Sequence, residues 1–354
     1  MTALIAMSGG VDSSVAAWLL KQRGYEIMGA TMELYTGQDR PNEPCHAPDT
    51  CDARQVAEKL SIPFHVFPLS QAFREKVMEP FVKCYEAGLT PNPCIECNRH
   101  LKFDAFLQEA EKLGCDFIVT GHYAQIRKDA QSGRYLLCKA AHREKEQSYF
   151  LYSLTQRQLA HTLFPLGELT KQEVREIAQA QGFLNAKKRD SQDICFVPDG
   201  DFGAFLRRYT GKSYPGGDYL DLAGNTVGKH TGAVYYTLGQ RKGLNLALGQ
   251  PVYVCSKDME NNTVTVGPNE ALMRDTLLAE NCNWISIPSL DAPMKVQAKA
   301  RSRMDAQPAT VYPAENGGVK VVFDTPQRAL TPGQAVVFYD GDVVVGGGTI
   351  TEIQ

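Results

Sequence analysis

The first 200 residues alternate short apolar runs with longer stretches of helical periodicity. An apolar run at 2–7 is followed by a helical stretch at 11–23 and a second run at 25–32, and later runs lie at 64–67 and 117–120. Such alternation is typical of strand-helix-strand units, whose strands lie parallel in one sheet. We therefore expect a doubly wound α/β domain, in which ligands bind at the carboxyl ends of the strands. Asp49 or Thr50 is expected to cap the helix that precedes the third strand.

The composition of the sequence changes near residue 205. Gly, Pro, Asn and Asp become frequent there, and the apolar residues fall into short β-branched runs. Runs at 319–323, 335–339 and 343–345 are separated by turn signals, and Asp340-Gly341 suits a tight hairpin. With 354 residues the chain is long enough for two or three domains. We predict a doubly wound α/β domain at 1–204, a small central domain at 205–272 and an antiparallel, β-barrel-like domain at 273–354.

Composition indicates the cellular compartment in which the protein is expected to act. No apolar run approaches the ~20 residues that span a bilayer, and residues 1–8 lack the basic start of a secretory signal. We expect a soluble, cytoplasmic protein without a membrane partner. In a reducing compartment its ten cysteines indicate metal, redox or catalytic chemistry more often than structural disulfides.

The strongest local motif is Ser8-Gly9-Gly10-Val11-Asp12-Ser13-Ser14, between the first predicted strand and the first helix. The glycines let the backbone approach an anion, the serine hydroxyls can donate to phosphate oxygens, and a helix N-terminus adds partial positive charge. No Gly-Lys-Ser/Thr follows at the spacing of a Walker A loop. The motif resembles the PP-loop of ATP pyrophosphatases. The alternative is an ordinary strand-to-helix turn with a serine N-cap, which can have a similar sequence.

Three cysteines have surroundings that favour a thiolate. Cys94 and Cys97 lie three residues apart, ahead of a helix expected to begin near Arg99, whose partial positive charge would lower a thiol pKa. Cys195 follows three cations at 187–189. We therefore predict nucleophilic or sulfur chemistry for these thiols.

Metal binding is the alternative interpretation of the same cysteines. Cys94, Cys97 and Cys195 supply three ligands, which is too few for a closed zinc site but enough for a [4Fe-4S] cluster with one open iron. A second possible metal loop holds Cys45, His46 and Cys51. The remaining cysteines are expected to be packing residues: 84, 115, 138, 255 and 282.

Motifs in the same order along nearly the whole chain resemble the tRNA-specific 2-thiouridylase family of the PP-loop ATP-pyrophosphatase superfamily. They are the PP-loop, Asn92-Pro93-Cys94-Ile95-Glu96-Cys97-Asn98, Gly121-His122-Tyr123-Ala124, Gln147-Ser148-Tyr149-Phe150-Leu151, Ser191-Gln192-Asp193-Ile194-Cys195-Phe196, Gly239-Gln240-Arg241-Lys242-Gly243-Leu244 and Pro332-Gly333-Gln334.

The resemblance implies an ATP-dependent sulfurtransferase that acts on the wobble uridine of tRNAs for Lys, Glu and Gln. ATP would adenylate the C2 oxygen, and a persulfide on Cys195 would supply sulfur after loading by a sulfur-relay protein or a cysteine desulfurase. Cys97 would be the nucleophile that resolves the persulfide, which can leave a Cys97–Cys195 disulfide.

The resemblance also implies binding residues. Asp12 would act at the phosphates, directly or through Mg²⁺. The expected ATP contacts are Ala6, Met7, Ser8, Gly9, Gly10, Val11, Asp12, Ser13, Met32 and Gly121. The expected tRNA or target-base contacts are Asn92, Pro93, Cys94, His122, Lys145, Glu146, Gln147, Arg301, Ser302 and Gln334.

The chain departs from the family pattern at two positions. Cys94 stands where the family usually has Asp, and Ser302 stands where an aromatic residue often follows the arginine, so stacking on a base is not expected there. A cluster of nine Lys/Arg against six Asp at 182–242 could follow an RNA backbone or simply be a solvated surface. The alternatives to a thiouridylase are another PP-loop adenylating enzyme, which needs no thiol, and a non-catalytic RNA- or metal-binding protein.

Overall fold

A computed structural model describes residues 1–35, 48–188 and 194–354. The strands within these ranges are β1 (Thr2–Ala6), β2 (Glu26–Glu33), β3 (Phe64–Pro68), β4 (Phe117–Val119), β5 (Ala124–Lys128), β6 (Tyr135–Lys139), β7 (Thr162–Leu163), β8 (Gly217–Leu220), β9 (Thr226–His230), β10 (Tyr253–Asp258), β11 (Thr263–Gly267), β12 (Met273–Trp284), β13 (Met294–Lys299), β14 (Gln307–Pro313), β15 (Val319–Arg328), β16 (Ala335–Asp340) and β17 (Val343–Ile353).

The α-helices are α1 (Val11–Gln22), α2 (Pro48–Lys59), α3 (Ser70–Phe73), α4 (Glu79–Glu86), α5 (Pro93–Cys97), α6 (Phe106–Lys112), α7 (Gln156–Ala160), α8 (Lys171–Ala180) and α9 (Phe202–Thr210). Two π-helical stretches, Arg74–Met78 and Asn98–Ala105, join α3 to α4 and α5 to α6. Short 3₁₀ turns lie at Arg143–Lys145, Ser148–Leu151, Ala233–Tyr235, Asn269–Leu272 and Glu315–Gly317. None of the helices in the described ranges is both long and apolar enough to cross a membrane.

The N-terminal half contains a parallel sheet in the order β3-β2-β1-β4-β7. The order reverses at β1, where Ile5 pairs with Gly29 of β2 on one side and with Val119 of β4 on the other. This confirms the predicted doubly wound α/β fold. A ligand site is expected beside the carboxyl ends of β1 and β4, where the strand order reverses.

Burial explains why α1 and α8 cover this sheet. Val15 and Leu20 of α1 share one apolar cluster with Ile5 of β1 and with Val174 and Ala178 of α8. Each of these side chains is at most 1% exposed. The two helices are therefore held against each other beside the carboxyl end of β1.

The second sheet has the order β10-β11-β8-β9. Its β11 and β8 pair in parallel and its other neighbours are antiparallel, so it is mixed. Tyr219, Val254 and Val264 form its buried centre.

The C-terminal strands form a closed antiparallel barrel. Six strands follow in the order β12-β15-β14-β13-β16-β17, and pairing of β12 with β17 closes the ring. The tight hairpin predicted at Asp340-Gly341 is present, because Asp340 pairs with Val343 and Gly341 has φ of 57°. The β-barrel part of the predicted fold is thus confirmed.

One hairpin of the N-terminal half joins the barrel. β5 and β6 extend the barrel sheet, since Cys138 of β6 pairs with Val343 of β17. A single apolar cluster therefore runs from Leu4 and Phe103 through Leu137 to Val337 and Tyr339.

Two predicted helix starts are wrong. Asp49 and Thr50 lie inside α2, which begins at Pro48. The helix after the Cys-x-x-Cys motif begins at Pro93 rather than near Arg99, so both cysteines lie within its first turns. Proline suits this first position because its missing N–H would have no partner there.

Candidate functional site

The PP-loop links β1 to α1 as a tight turn. Gly9 has φ of 67°, a region that glycine adopts without steric cost, and Gly10 is extended before α1 begins. The Ser13 and Ser14 hydroxyls donate to the Gly10 carbonyl at 3.1 and 2.9 Å. The loop is thus shaped by its own hydroxyls, while the N–H groups of the first turn of α1, which a helix cannot pair internally, are donors suited to phosphate.

The serines of the loop differ in accessibility. Ser8 is exposed and can donate to a phosphate, whereas Ser14 is fully buried and also accepts a hydrogen bond from Asn185 Nδ2 at 2.9 Å. The prediction that Ser14 donates to phosphate is therefore wrong, since its hydroxyl stabilises the loop from behind. Ser13 is buried as well, and its Oγ accepts the Ser8 N–H at 3.2 Å.

The other predicted ATP residues lie around the same sheet edge. Ala6 ends β1, Met7 is buried with its N–H on the Ala30 carbonyl, and Val11 is buried at the start of α1. Met32 lies near the carboxyl end of β2 and is partly buried.

Gly121 packs directly against the PP-loop. A Cβ atom at this position would lie 2.9 Å from the Asp12 carbonyl carbon, the Asp12 Cβ and the Ser13 nitrogen. Such distances are far inside van der Waals contact, so only glycine fits without displacing the loop. The structure therefore brings Gly121 to the loop.

Asp12 is held by two side chains that the sequence did not indicate as partners. Lys171 Nζ lies 2.7 Å from Oδ1 and 2.9 Å from Oδ2 of Asp12, and the Tyr123 hydroxyl donates to Oδ1 at 2.8 Å. The Lys171 side chain is only 9% exposed. The Thr170-x-x-Glu173 spacing signals the start of α8, where both halves of the capping box form, but not that Lys171 reaches α1.

Two further residues approach the loop from the segment after α8. Asn185 Nδ2 donates to the Gly9 carbonyl at 3.1 Å, and Lys188 Nζ lies 2.7 Å from Asp52 Oδ2 and 3.4 Å from the Gly9 carbonyl. Asn185 Oδ1 is buried without a hydrogen-bond partner among the described residues. The loop is thus bordered by lysines at 171 and 188, which suits a polyanionic ligand.

The three candidate sulfur-transfer cysteines lie in one neighbourhood. Cys195 is exposed and Phe196, which follows it, packs 5.0 Å from Phe81 between ring centroids. Phe196 and Phe81 belong to the apolar cluster that also contains the buried Cys97. The charge of Cys195 also contributes to the raised pKa of both Cys94 and Cys97.

Burial dominates the acidity of Cys97. Desolvation raises its pKa to about 12, and the opposing charge of Lys102 offsets only part of this effect. The prediction that the helix N-terminus lowers this pKa is therefore wrong for the described conformation. The free energy lost by removing a thiolate from water exceeds the stabilisation of the thiolate by the helix and by Lys102. The Cys94 pKa is also raised, first by desolvation, although Cys94 has accessible surface, as expected for a thiol inside a cleft.

No group of three or more His, Cys, Asp or Glu side chains among residues 1–35, 48–188 and 194–354 is arranged to hold a metal ion. Cys94, Cys97 and Cys195 therefore do not form a ligand set for iron in this conformation. Cys51 is exposed on α2, and Cys45 and His46 lie outside the described residues. Of the cysteines assigned to packing, 115 and 138 are buried and 84, 255 and 282 are partly buried.

His122 follows β4 and packs against the π-helical stretch Asn98–Ala105, which continues from α5. Its ring lies 5.7 Å from that of Phe103, and its Nδ1 is 2.7 Å from Thr120 Oγ1. Burial, with the charge of Lys102, lowers the His122 pKa well below its usual value. The imidazole is therefore neutral at physiological pH.

The predicted target-base segments border this region. Gln147 Oε1 accepts the Tyr123 N–H at 2.9 Å, so the segment is joined to the residue that holds Asp12. Glu146 lies 4.0 Å from Lys299 Nζ, and Lys145 is partly exposed. Asn92 and Pro93 start α5, with Pro93 buried.

Arg301 and Gln334, predicted to contact tRNA, are engaged within the protein. Arg301 Nη2 donates to the carbonyls of Leu238 and Ala329 and to Thr331 Oγ1, and desolvation lowers the Arg301 pKa. Gln334 Nε2 donates to the Thr90 carbonyl at 2.9 Å. Ser302 is partly exposed.

Comparison with known proteins agrees with this arrangement. Family models match residues 1–199 (tRNA methyl transferase HUP domain), 203–268 (tRNA methyl transferase PRC-barrel domain) and 274–350 (Aminomethyltransferase beta-barrel domain). The chain is 49% identical over 350 residues to the tRNA-specific 2-thiouridylase MnmA of Clostridioides difficile, covering 98% of this chain and 97% of that protein. It is 50% identical to the protein of the same name from Symbiobacterium thermophilum, covering 98% and 91%.

Among solved structures, a 4-thiouridine synthetase in complex with RNA and bound ATP matches 56% of this chain and 45% of its own, with 19% identity and a TM-score of 0.34.

Proposed function

The chain belongs to the tRNA-specific 2-thiouridylase family, and from this premise we infer that it is a tRNA sulfurtransferase that uses ATP. The observation that carries the inference is identity near 49% over almost the whole length of the chain. The site agrees with it, because a PP-loop at the sheet edge and two cysteines in one neighbourhood are the parts that adenylation and sulfur transfer need. Another PP-loop adenylating enzyme would not need Cys97 and Cys195.

We propose that the PP-loop binds the triphosphate of ATP through the first-turn N–H groups of α1 and the Ser8 hydroxyl. The C2 oxygen of the wobble uridine then attacks the α-phosphorus, and pyrophosphate leaves. The new bond makes AMP the leaving group at C2. Lys171 and Lys188 border the loop and offset the negative charge of the phosphates.

Mg²⁺ is proposed to accompany ATP, where it would neutralise phosphate charge. Asp12 is the carboxylate of the loop that fits this cation, and the neighbouring phosphates would supply further oxygen ligands. Among the described residues Oδ1 of Asp12 accepts from Lys171 and Tyr123 and Oδ2 accepts from Lys171, so Oδ2 keeps an acceptor site that the cation would use.

We propose that Cys195 carries the incoming sulfur. It receives the outer sulfur of a persulfide from a relay protein or a cysteine desulfurase, whose own cysteine leaves as a thiol. The terminal persulfide sulfur attacks C2, AMP leaves, and the Cys97 thiolate attacks the inner sulfur on Cys195. Sulfane sulfur is thereby reduced to the thiocarbonyl, while the two thiols are oxidised to a disulfide that an external thiol must reduce.

The different accessibility of the two thiols supports this division of roles. Cys195 is exposed, as a thiol loaded by a second protein must be, whereas Cys97 is 7% exposed and protonated. A protonated thiol is a poor nucleophile, so Cys97 must lose its proton to a base or to solvent before it attacks the inner sulfur on Cys195. We propose that this chemistry occurs in the cytoplasm, and that the adenylating, linker and barrel functions divide at 1–204, 205–272 and 273–354.

The proposed iron-sulfur cluster does not fit the described conformation, in which the three cysteines form no metal site. Anaerobic purification with iron and sulfide analysis tests its presence, and a colourless protein that stays fully active after aerobic chelation excludes it.

The decisive experiment is incubation of the protein with ATP, a persulfide donor and unmodified tRNA, followed by nucleoside mass spectrometry. We expect 2-thiouridine with the wild type and with the Cys51→Ser control, whose thiol is exposed on α2. Cys97→Ser and Cys195→Ser should each abolish it. Thiolation that persists in Cys195→Ser would remove the persulfide assignment, and no thiolation by the wild type would remove the proposed function.

A further inference from the structure

Asn185 contacts the PP-loop from the segment that follows α8, and this segment is firmly packed. The flanking residues Phe183 and Ala186 are buried in the apolar cluster that also contains Val15 of α1. The Asn185 carbonyl accepts the Lys188 N–H at 2.9 Å, which fixes the main chain. The Asn185 side chain is 5% exposed. It is therefore a buried polar group held at a defined place beside the loop.

Two acceptors define the orientation of the Asn185 amide. Its Nδ2 donates to the Gly9 carbonyl at 3.1 Å and to Ser14 Oγ at 2.9 Å. A carbonyl can only accept, and the Ser14 hydroxyl already donates to the Gly10 carbonyl, so it accepts from the amide. Both contacts require the NH₂ side of the amide to face the loop.

The same orientation leaves the amide oxygen without a partner. Asn185 Oδ1 is buried and accepts no hydrogen bond from residues 1–35, 48–188 or 194–354. A buried polar atom without a partner destabilises the folded state. A contribution to folding therefore does not explain this side chain, and its two donated bonds indicate that it acts on the loop.

The Gly9 carbonyl belongs to a peptide that sterics alone do not fix. Gly9 has φ of 67° and Gly10 is extended, and without a Cβ on either residue the peptide between them is free to adopt other orientations. This peptide is trans, so its C=O and N–H point in opposite directions. The bond from Asn185 to the carbonyl therefore turns the Gly10 N–H away from Asn185 and from the buried Ser14 hydroxyl.

The exposed Ser8 borders Gly10 on the open part of the loop. Its Oγ lies 3.3 Å from the position that a Cβ on Gly10 would take. A hydroxyl and a main-chain N–H that are held close together can donate to the same oxyanion.

We propose that Asn185 is a positioning residue for ATP, which holds the Gly9 carbonyl so that the Gly10 N–H is oriented to donate to a phosphate oxygen. This inference deepens the proposed function and rests on it, because it concerns the ATP that the PP-loop binds. A donor that is already oriented binds an anion without the free-energy cost of turning the peptide. Asn185 itself does not contact the nucleotide, since both Nδ2 hydrogens are used behind the loop.

Asn185→Leu and Asn185→Asp test the proposal. Leucine keeps nearly the size and shape of asparagine without a polar atom, whereas aspartate keeps the shape but cannot donate at neutral pH. The matched control is Leu184→Ala, at a neighbouring side chain that is 81% exposed. Four quantities are measured for each protein: the melting temperature, and the dissociation constants for ATP, inorganic pyrophosphate and adenosine by titration calorimetry.

For Asn185→Leu we expect ATP and pyrophosphate to bind about 5- to 30-fold more weakly, because the two hydrogen bonds that orient the loop are lost. Adenosine affinity should not change, since adenosine carries no phosphate. The melting temperature should be unchanged or higher, because the variant no longer buries an unpaired oxygen. Asn185→Asp should lose at least as much ATP affinity, since its carboxylate cannot donate to the Gly9 carbonyl. Leu184→Ala should match the wild type in all four quantities.

Unchanged binding of ATP and pyrophosphate by Asn185→Leu would overturn the proposal. A loss shared equally by adenosine, together with a lower melting temperature, would also overturn it, because Asn185 would then only support the fold. If Asn185→Leu does not fold, the same measurements on Asn185→Asp decide.

These binding measurements separate the role of Asn185 from the proposed function. A wild type that binds ATP but forms no 2-thiouridine would remove the proposed function, while the nucleotide affinities would still decide the role of Asn185. Thiolation by the wild type, with normal ATP affinity in both Asn185 variants, would remove the role of Asn185 alone. A wild type that binds neither ATP nor pyrophosphate would remove both.

Discussion

Lys171 Nζ contacts both carboxylate oxygens of Asp12, at 2.7 and 2.9 Å, across 159 positions of the sequence. The lysine is the first residue of α8 and the aspartate lies in the first turn of α1. The ion pair therefore ties the PP-loop to a helix that sequence motifs do not connect with it.

Lys171→Met is expected to weaken both folding and ATP binding. Of its described partners Asp12 would keep the Tyr123 hydroxyl, and in the absence of Mg²⁺ its charge would then repel the triphosphate. Because Asp12 is 31% exposed, we expect a loss of stability of about 1–3 kcal/mol, below the range for fully buried pairs. ATP affinity measured by titration calorimetry should fall about tenfold or more.

The double variant Asp12→Asn, Lys171→Met is the control for that prediction. It removes the unpaired charge, so it should be more stable than Lys171→Met alone and should bind ATP more tightly when Mg²⁺ is absent. Additive losses in the double variant would show that the two residues act independently.

Gly121→Ala is expected to disturb the PP-loop without touching the cysteines. The added methyl group must displace backbone atoms of Asp12 and Ser13 that lie 2.9 Å away. We expect ATP affinity to fall about tenfold or more while alkylation of Cys195 by iodoacetamide keeps its rate. Normal ATP affinity in a folded variant would contradict the close packing.

The exposed cations of residues 205–272 should account for part of the salt dependence of tRNA binding. Arg241 and Lys242 are exposed, whereas Arg301 is engaged by three acceptors. The double variant Arg241→Ala, Lys242→Ala should reduce the slope of log K against log salt by about 1.5–2. Charge reversal at exposed Arg207, Arg208 and Arg303 should act in the same direction.

Filter binding over a range of salt concentrations measures this slope. Arg301→Gln is the comparison variant and should leave the slope unchanged. A decrease for Arg301→Gln equal to that of the double variant would place Arg301 on a phosphate.

Lys257 should make stability rise with pH in the alkaline range. Desolvation lowers its pKa to about 8, although its ammonium donates to the Tyr236 carbonyl at 2.7 Å. Between about pH 8 and the ordinary lysine value near 10.4 the unfolded chain binds one proton more than the folded chain at this site, so stability increases. Below pH 8 the full cost of burying the charge remains.

Urea denaturation of the wild type and of Lys257→Met at pH 7, 8, 9 and 10 checks this. The difference between the two proteins isolates the lysine from other titrating groups. We expect the stability of the wild type relative to the variant to rise over this interval; a constant difference would show that Lys257 titrates normally.

The sequence predicted β1, β2, β3, β4, β15, β16 and β17, because apolar runs and turn residues act locally. It located the PP-loop, the parallel sheet and the hairpin at Asp340-Gly341 for that reason. It could not predict the closure of the barrel by β12 and β17, or the addition of β5 and β6, since these pairings join segments far apart in the chain.

The site was predicted less completely than the fold. Motif positions identified Asp12 and Gly121, but a pairing such as that of Lys171 with Asp12 depends on where a helix is placed in space. Similarly, the acidity of Cys97 was inferred from its helix, whereas burial in the apolar cluster that also contains Phe81 and Phe196 raises its pKa.

The hairpin of β5 and β6 limits how the chain can be divided. It sits in the N-terminal half yet pairs with β17, and Tyr149 donates to the carbonyl of Ala335 at 2.9 Å. A fragment cut before β12 would expose the free edge of β6 together with Leu137, and such an edge recruits strands from other molecules. The adenylating half is therefore expected to self-associate when expressed alone. In the full chain the barrel prevents this, because β17 covers the edge of β6.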